Sequence, residues 1–193
     1  MNITKNFNIW IPEIFYIPIE KYAETVENAV LTNRYGIYIS QGEGIHVYHG
    51  NQPIDRELCK ELNMCVVDLN YNGGNIVGSA EDLSIIMIFP EDMGMTHELI
   101  INKIAEIISK YVPLIIVDGN DILIGGDKIC GSMNRTICGS YEWAAQISFK
   151  DYSEYIEKIC DKPQIKKPSY INSDLLTRDQ LEAEILAWLT KTE

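Results

Sequence analysis

Basic residues are scarce in this chain. Lysine and arginine number 16 against 28 aspartates and glutamates, giving a net charge of −12 at neutral pH. Nucleic acids and anionic membranes need a cationic footprint, so neither is expected as the main partner. Cysteine is also sparse: Cys59, Cys65, Cys130, Cys138 and Cys160. Their odd number and the lack of any C-x-x-C pair argue against a disulfide framework or a zinc ribbon. Reduced, mostly structural thiols in a cytosol fit better. The three histidines, His46, His49 and His97, are scattered, and no His/Cys/Asp/Glu group has metal-ligand spacing, so no metal is expected. The longest apolar runs, such as Ile85 to Phe89, fall far short of the roughly 20 residues of a spanning helix. The first residues contain no uninterrupted apolar stretch of the signal-peptide kind. A soluble, cytoplasmic protein is the expectation.

What is present reads as one globular domain. Of 193 residues, 46% are apolar and 23% charged, as in an average soluble protein. A chain this long buries roughly 70% of its unfolded surface in a single core. Residues 20–32 place Ala23, Val26, Ala29 and Val30 at helical spacing. Residues 36–49 predict two strands around a Gly-Glu-Gly turn, a hairpin. Pro53 can open a short helix over 54–62. Strands are predicted at 64–70, 75–78 and 83–90, and Thr96 can cap a helix over 97–111. Strands at 114–118, 121–124, 127–133 and 141–149 follow, with Gly119-Asn120 and Gly125-Gly126 as turns. A short helix is predicted over 151–160, and Thr177 with Gln180 forms a capping box for a last one. Strands and helices that mix without regular βαβ alternation predict an α+β fold with a mixed sheet.

Two segments can carry chemistry. Asn70-Tyr71-Asn72-Gly73-Gly74-Asn75 lies between strands, where glycines let the backbone approach a ligand and turn N–H groups toward an anion. A plain β-turn is the competing reading. The second runs from Asp118 to Ser132 as strand, turn, strand, with Lys128 just after a glycine pair. Regular alternation from Asp127 puts Lys128 and Cys130 on one face and Ile129 on the other. A lysine held beside a pocket can donate to a carbonyl or phosphate oxygen; a solvated hairpin lysine is the competing reading.

Together the segments resemble the biotin/lipoate protein ligase superfamily, particularly its lipoate–protein ligase A and octanoyltransferase branch. Asn120-Asp121, Gly126-Asp127-Lys128-Ile129 and Gly131-Ser132 resemble its Asn-Asp…Lys…Gly-Ser element. Asn72-Gly73-Gly74-Asn75 resembles its glycine loop, residues 22–31 its first helix and His49-Gly50-Asn51-Gln52-Pro53 a further loop. The likeness spans roughly residues 20–170. It implies a central mixed sheet flanked by helices, and a single catalytic-type domain over residues 1–193 without an accessory domain. It implies transfer of a lipoyl, octanoyl or similar acyl group to a lysine of an acceptor, through an acyl-adenylate made with ATP and magnesium, or from an acyl carrier. The implied partners are a small acyl ligand and a lipoyl-type carrier domain.

By the same resemblance Lys128 is the catalytic candidate. Asn70, Asn72, Gly73, Gly74, Asn75, Asn120, Asp121 and Gly131 are the ligand-binding candidates. Cys130 and Cys138 are candidate nucleophiles, each set against a reading as a small buried hydrophobe. The chain departs from the family pattern where paired arginines would fall on Leu69 and Asn70, and where a His-Gly would fall on Ala145-Gln146. A ligase-like protein that binds a ligand or partner without ligation therefore stands as the alternative, as does a different acyl donor or acceptor. Arg34, Arg56 and Arg135 are candidates to replace the arginines. Lys162, Lys166 and Lys167 could form a basic face for an acceptor.

Overall fold

The computed structural model describes residues 12–69, 74–160 and 166–190. Its centre is the strand Leu83–Pro90 (β6), apolar throughout except for the buried Ser84. Such a run suits a strand covered on both faces. Leu83, Ile85, Met87 and Phe89 enter one core, while Ile86 and Ile88 enter another.

Around β6 lie Glu13–Pro18 (β1), Gly36–Gln41 (β2), Ile115–Asp118 (β7), Asp121–Ile124 (β8), Asp127–Ile137 (β9) and Ser140–Ile147 (β10). The seven strands run in the order β1-β2-β6-β10-β9-β8-β7. Only β1 and β2 pair in parallel; the other five pairings are antiparallel. A second sheet holds Ile45–His49 (β3) between Cys65–Asp68 (β4) and Ile76–Ser79 (β5).

The helices His97–Ser109 (α3) and Arg178–Thr190 (α5) cover one face of the large sheet, through Ile100, Ile104, Ile108, Leu181 and Ile185. Tyr22–Leu31 (α1) and the small sheet share the other face, where Val26 and Val30 meet Tyr48, Val67, Ile86 and Ile88. Arg56–Glu61 (α2) and Ser153–Ile159 (α4) close the outside of the small sheet. The architecture is α+β with a mixed central sheet, as the sequence predicts.

One prediction fails in an informative way. Residues 36–49 do form two strands, but they are not a hairpin: β2 belongs to the large sheet and β3 to the small one. Gly42 is where the chain departs. A Cβ there would lie 2.5 Å from Ile19 Cγ2, so only glycine lets the crossing pass against that buried side chain. Strand β1 is not predicted at all, and β9 extends four residues past its predicted end.

Candidate functional site

The turn between β8 and β9 is built from Gly125 (φ 59°) and Gly126 (φ 105°), a left-handed pair that brings the strands back antiparallel. Register then fixes what the strands present. Ile122 pairs with Cys130 and Leu123 with Lys128, so Ile129 is the extra residue of a β-bulge. Paired residues share a face and successive residues alternate. Lys128 therefore shares a face with Leu123, Asp121 and Gly131, while Cys130 faces away with Ile122. This corrects the expectation from regular alternation, in which Lys128 and Cys130 shared a face.

Cys130 lies in the α3-side core, 1% exposed, and burial pushes its thiol up to about 12. The geometry does not offer it to a ligand as a nucleophile. Cys138 is exposed in the turn after β9, at φ 52°, roughly 30 Å along the strand from Lys128. It belongs to a different end of the molecule.

The face carrying Lys128 looks into a cavity of about 280 Å³ between the two sheets. Its apolar walls are Tyr22 of α1, Tyr48, Leu69 and Ile76 on the side of the small sheet, and Ile86 and Met133 of the large sheet. Its other end is polar: Asn120, Asp121, Lys128 and Gln146, with Gly74 and Gly131 as backbone surface. Among the described residues that line it, Lys128 is the one cation.

The Lys128 amine meets Asp121 Oδ1 at 2.8 Å. The Lys166 amine reaches the other Asp121 oxygen at 2.7 Å and Asp118 at 2.9 Å. Burial pushes the Asp121 carboxyl up, but hydrogen bonds from Lys128 and Lys166 outweigh it and hold the group below the usual range. Asn120 supplies its backbone carbonyl to Ser132, accepting from both the N–H and Oγ at 2.8 Å, which pins the β8 entry to β9.

Asn75 is 6% exposed and acts as a clasp: its Oδ1 accepts from Gly50 N at 3.1 Å and its Nδ2 donates to the Gln52 carbonyl at 3.1 Å. Gly74 has only ordinary van der Waals neighbours for a Cβ, whereas one at Gly131 would come within 3.0 Å of Lys128 Cε and Nζ. Asn70, Asn72 and Gly73 lie outside the described residues, as does Tyr71.

The arginines offered as substitutes are engaged elsewhere. Arg34 stacks over Phe15, Arg56 binds Asp68, and Arg135 binds Glu27 and Glu142. The proposed basic face is also largely neutralised, since Lys167 pairs with Asp127 and Lys166 with two aspartates. Lys162 lies outside the described residues. No group of three His, Cys, Asp or Glu that could hold a metal ion occurs among the described residues. No helix among them is long and apolar enough to cross a membrane.

Sequence reasoning marked Gln146 only as a departure from the family pattern and gave neither it nor Gly78 a place in the site. Gln146 is buried and ties the sheets together, donating to the Val77 carbonyl at 3.0 Å and accepting from Ser84 Oγ at 3.2 Å. A Cβ at Gly78 would fall 1.8 Å from Gln146 Nε2, so the glycine is what admits this side chain. Only the strand register shows it: Gln146 pairs with Gly131 across β9 and β10, on the cavity face.

No family model and no curated protein matches the sequence. Solved structures do match. P. falciparum LipL1, in complex with lipoate, superposes with a TM-score of 0.75 at 14% identity, over 91% of this chain and 60% of that one. The bi-partite lipoate protein ligase from Thermoplasma acidophilum, studied with its E2 lipoyl domain, gives 0.71 at 14%, over 92% and 81%. Lipoate-protein ligase A bound with ATP gives 0.71 at 13%, over 93% and 84%. Biotin protein ligases match as well, with a TM-score of 0.55 for that of Aquifex aeolicus. The fold is that of the lipoate– and biotin–protein ligase catalytic domain. Identities this low carry the fold alone. The ligase-like fold places the cavity and Lys128 between the two sheets, and the chain spans under two thirds of LipL1.

Proposed function

We propose that this protein transfers a lipoyl, octanoyl or similar acyl group to a lysine of an acceptor protein. The observation that carries the reading is the Lys128 amine at the polar end of a cavity whose other walls are largely apolar. An alkyl acyl chain suits the apolar part, burying surface worth about 25 cal/mol per Å². Its activated carbonyl then lies toward Lys128, Asp121 and Asn120.

With an acyl-adenylate donor, the acceptor amine attacks the acyl carbonyl, and the carbon–oxygen bond to the phosphate breaks. The adenylate leaves with the bonding electrons and the amine releases a proton. Lys128 stabilises the charge that develops on the carbonyl or phosphate oxygen. The ligase-like solved structures include one bound with ATP and one studied with a lipoyl domain, which supports an adenylate donor and a carrier-domain acceptor. Gly74, Asn75, Asn120, Asp121 and Gly131 are the described residues proposed to border the ligand, with Asn70, Asn72 and Gly73 in the adjoining loop. A cytoplasmic setting suits five free cysteines.

The test is incubation with octanoyl-adenylate and an apo lipoyl-type domain, read by intact mass. Wild type adds one octanoyl group, and Lys128→Met slows this on the order of 10²-fold. No mass gain with wild type, or equal gain with the variant, overturns the reading. A second reading, ligand binding without self-activation, is favoured by one observation: no arginine lines the cavity among the described residues. Measured pyrophosphate release from ATP and octanoate would count against it.

A further inference from the structure

Lys166 is not part of the resemblance-based site, yet it is wired into it. Residues 166–169 lie along β9 as a short parallel bridge: the Lys128 N–H donates to the Lys167 carbonyl at 2.8 Å, and the Ser169 N–H donates to the Lys128 carbonyl at 2.7 Å. The same segment thus grips the backbone of Lys128 and delivers a second amine beside it. That amine sits between two aspartates, 2.9 Å from Asp118 and 2.7 Å from Asp121, with a further contact to the Asp118 carbonyl at 3.2 Å. Asp121 therefore divides its two oxygens between two lysines.

We propose that Lys166 is a positioning residue that holds Asp121, so that Lys128 can leave that carboxylate for the ligand's oxygen. The proposal rests on the acyl-transfer reading for its purpose, but its physical content does not. A carboxylate with one cationic partner holds it closely; one shared between two holds each less. When Lys128 turns to a ligand, Asp121 is left partly buried, and an unpaired buried charge is costly. Lys166 removes that penalty because Asp121 keeps a partner. It also screens the ligand from two carboxylates that would otherwise repel an anion.

The experiment is competitive labelling of lysines with acetic anhydride at mildly alkaline pH, read at the Lys128 peptide by mass spectrometry. Six proteins are compared: wild type, Lys166→Met, Lys166→Arg, Asp118→Asn, Asp121→Asn and the Lys166→Met/Asp121→Asn double variant. Lys166→Met should lower Lys128 labelling about threefold, because an undivided Asp121 holds the Lys128 amine more closely. In the Asp121→Asn background the same change should have no effect, which is the signature of an action routed through Asp121. Lys166→Arg should restore labelling. Asp118→Asn provides a change of opposite sign, since it frees Lys166 for Asp121 and should raise labelling of Lys128. Octanoyl transfer in the same proteins should fall about tenfold in Lys166→Met and recover in Lys166→Arg. Equal labelling of wild type and Lys166→Met overturns the proposal, as does a loss that persists in Asp121→Asn or no rise in Asp118→Asn. If wild type transfers no acyl group, the proposed function fails while the labelling comparison still decides the role of Lys166.

Discussion

Gly131 and Gly78 both make room for a polar side chain at the cavity, and they predict different failures. A Cβ at Gly131 crowds the flexible tip of Lys128, at 3.0 Å, and meets Ile76 Cδ1 in ordinary contact at 3.6 Å. Gly131→Ala should push the amine aside, lowering octanoyl transfer about tenfold while stability stays within about 0.5 kcal/mol. A Cβ at Gly78 meets Gln146 at 1.8 Å, and Gln146 is locked by hydrogen bonds to Val77 and Ser84. Gly78→Ala should cost about 1–3 kcal/mol in urea unfolding. Equal stability losses in both variants would contradict the distinction.

His46 supplies a pH dependence. It is 2% exposed, neither ring nitrogen has a partner among the described residues, and burial pushes it down from 6.5 to about 4. The unfolded chain takes up its proton below about 6.5 while the folded chain does not, so stability falls as pH drops from there through about 4. Buried Asp82 acts in the opposite sense: burial pushes it up from 3.8 to about 6, so its contribution grows as pH falls through that interval. The two offset one another in the wild type. His46→Phe keeps the edge-on contact with Tyr48 and removes one titration. Relative to wild type it should gain about 2.5 kcal/mol between neutral pH and about pH 4.5. Parallel stability curves for the two proteins would refute this.

At the scale of elements, the sequence was readable wherever the signal was local. Thr96 caps α3 by accepting from the Leu99 N–H at 3.2 Å. Thr177 and Gln180 form the reciprocal box before α5, each side chain accepting from the other's backbone N–H. The β8–β9 turn was legible from its glycines, and with it the closeness of Asn120, Asp121 and Lys128. What was not legible depends on partners far along the chain. The jump of β2 and β3 to different sheets passes Gly42, which packs against Ile19 from a distant part of the sequence. The bulge at Ile129 is visible only once β8 is laid beside β9. Lys166 reaches Asp121 and Gln146 reaches Val77 across long sequence separations, with no spacing to announce them. The opposite faces of the large sheet also separate stability from the site. Thr96→Ala should cost about 1 kcal/mol, as a lost cap does. Since α3 covers the face away from the cavity, ligand affinity measured by calorimetry should not change.

For the whole molecule, the net charge of −12 becomes a statement about docking. The lysines that could have offset it near the cavity are tied to aspartates, Lys166 to Asp118 and Asp121 and Lys167 to Asp127. Under the proposed function, an acidic acceptor domain would approach a surface of its own sign. Like-charge fields slow encounter more than they alter the docked contacts, and salt screens them over a Debye length of about 10 Å at 0.1 M. Transfer from octanoyl-adenylate to an acidic lipoyl-type domain should thus rise a few-fold as salt increases from about 0.02 to 0.15 M. The rise should appear in kcat/KM and leave kcat nearly unchanged, because chemistry after docking does not feel the long-range field. An acceptor variant made neutral overall should lose the salt dependence. A rate that instead falls with salt would mean that a local cationic surface steers the acceptor, against the ion pairing described above.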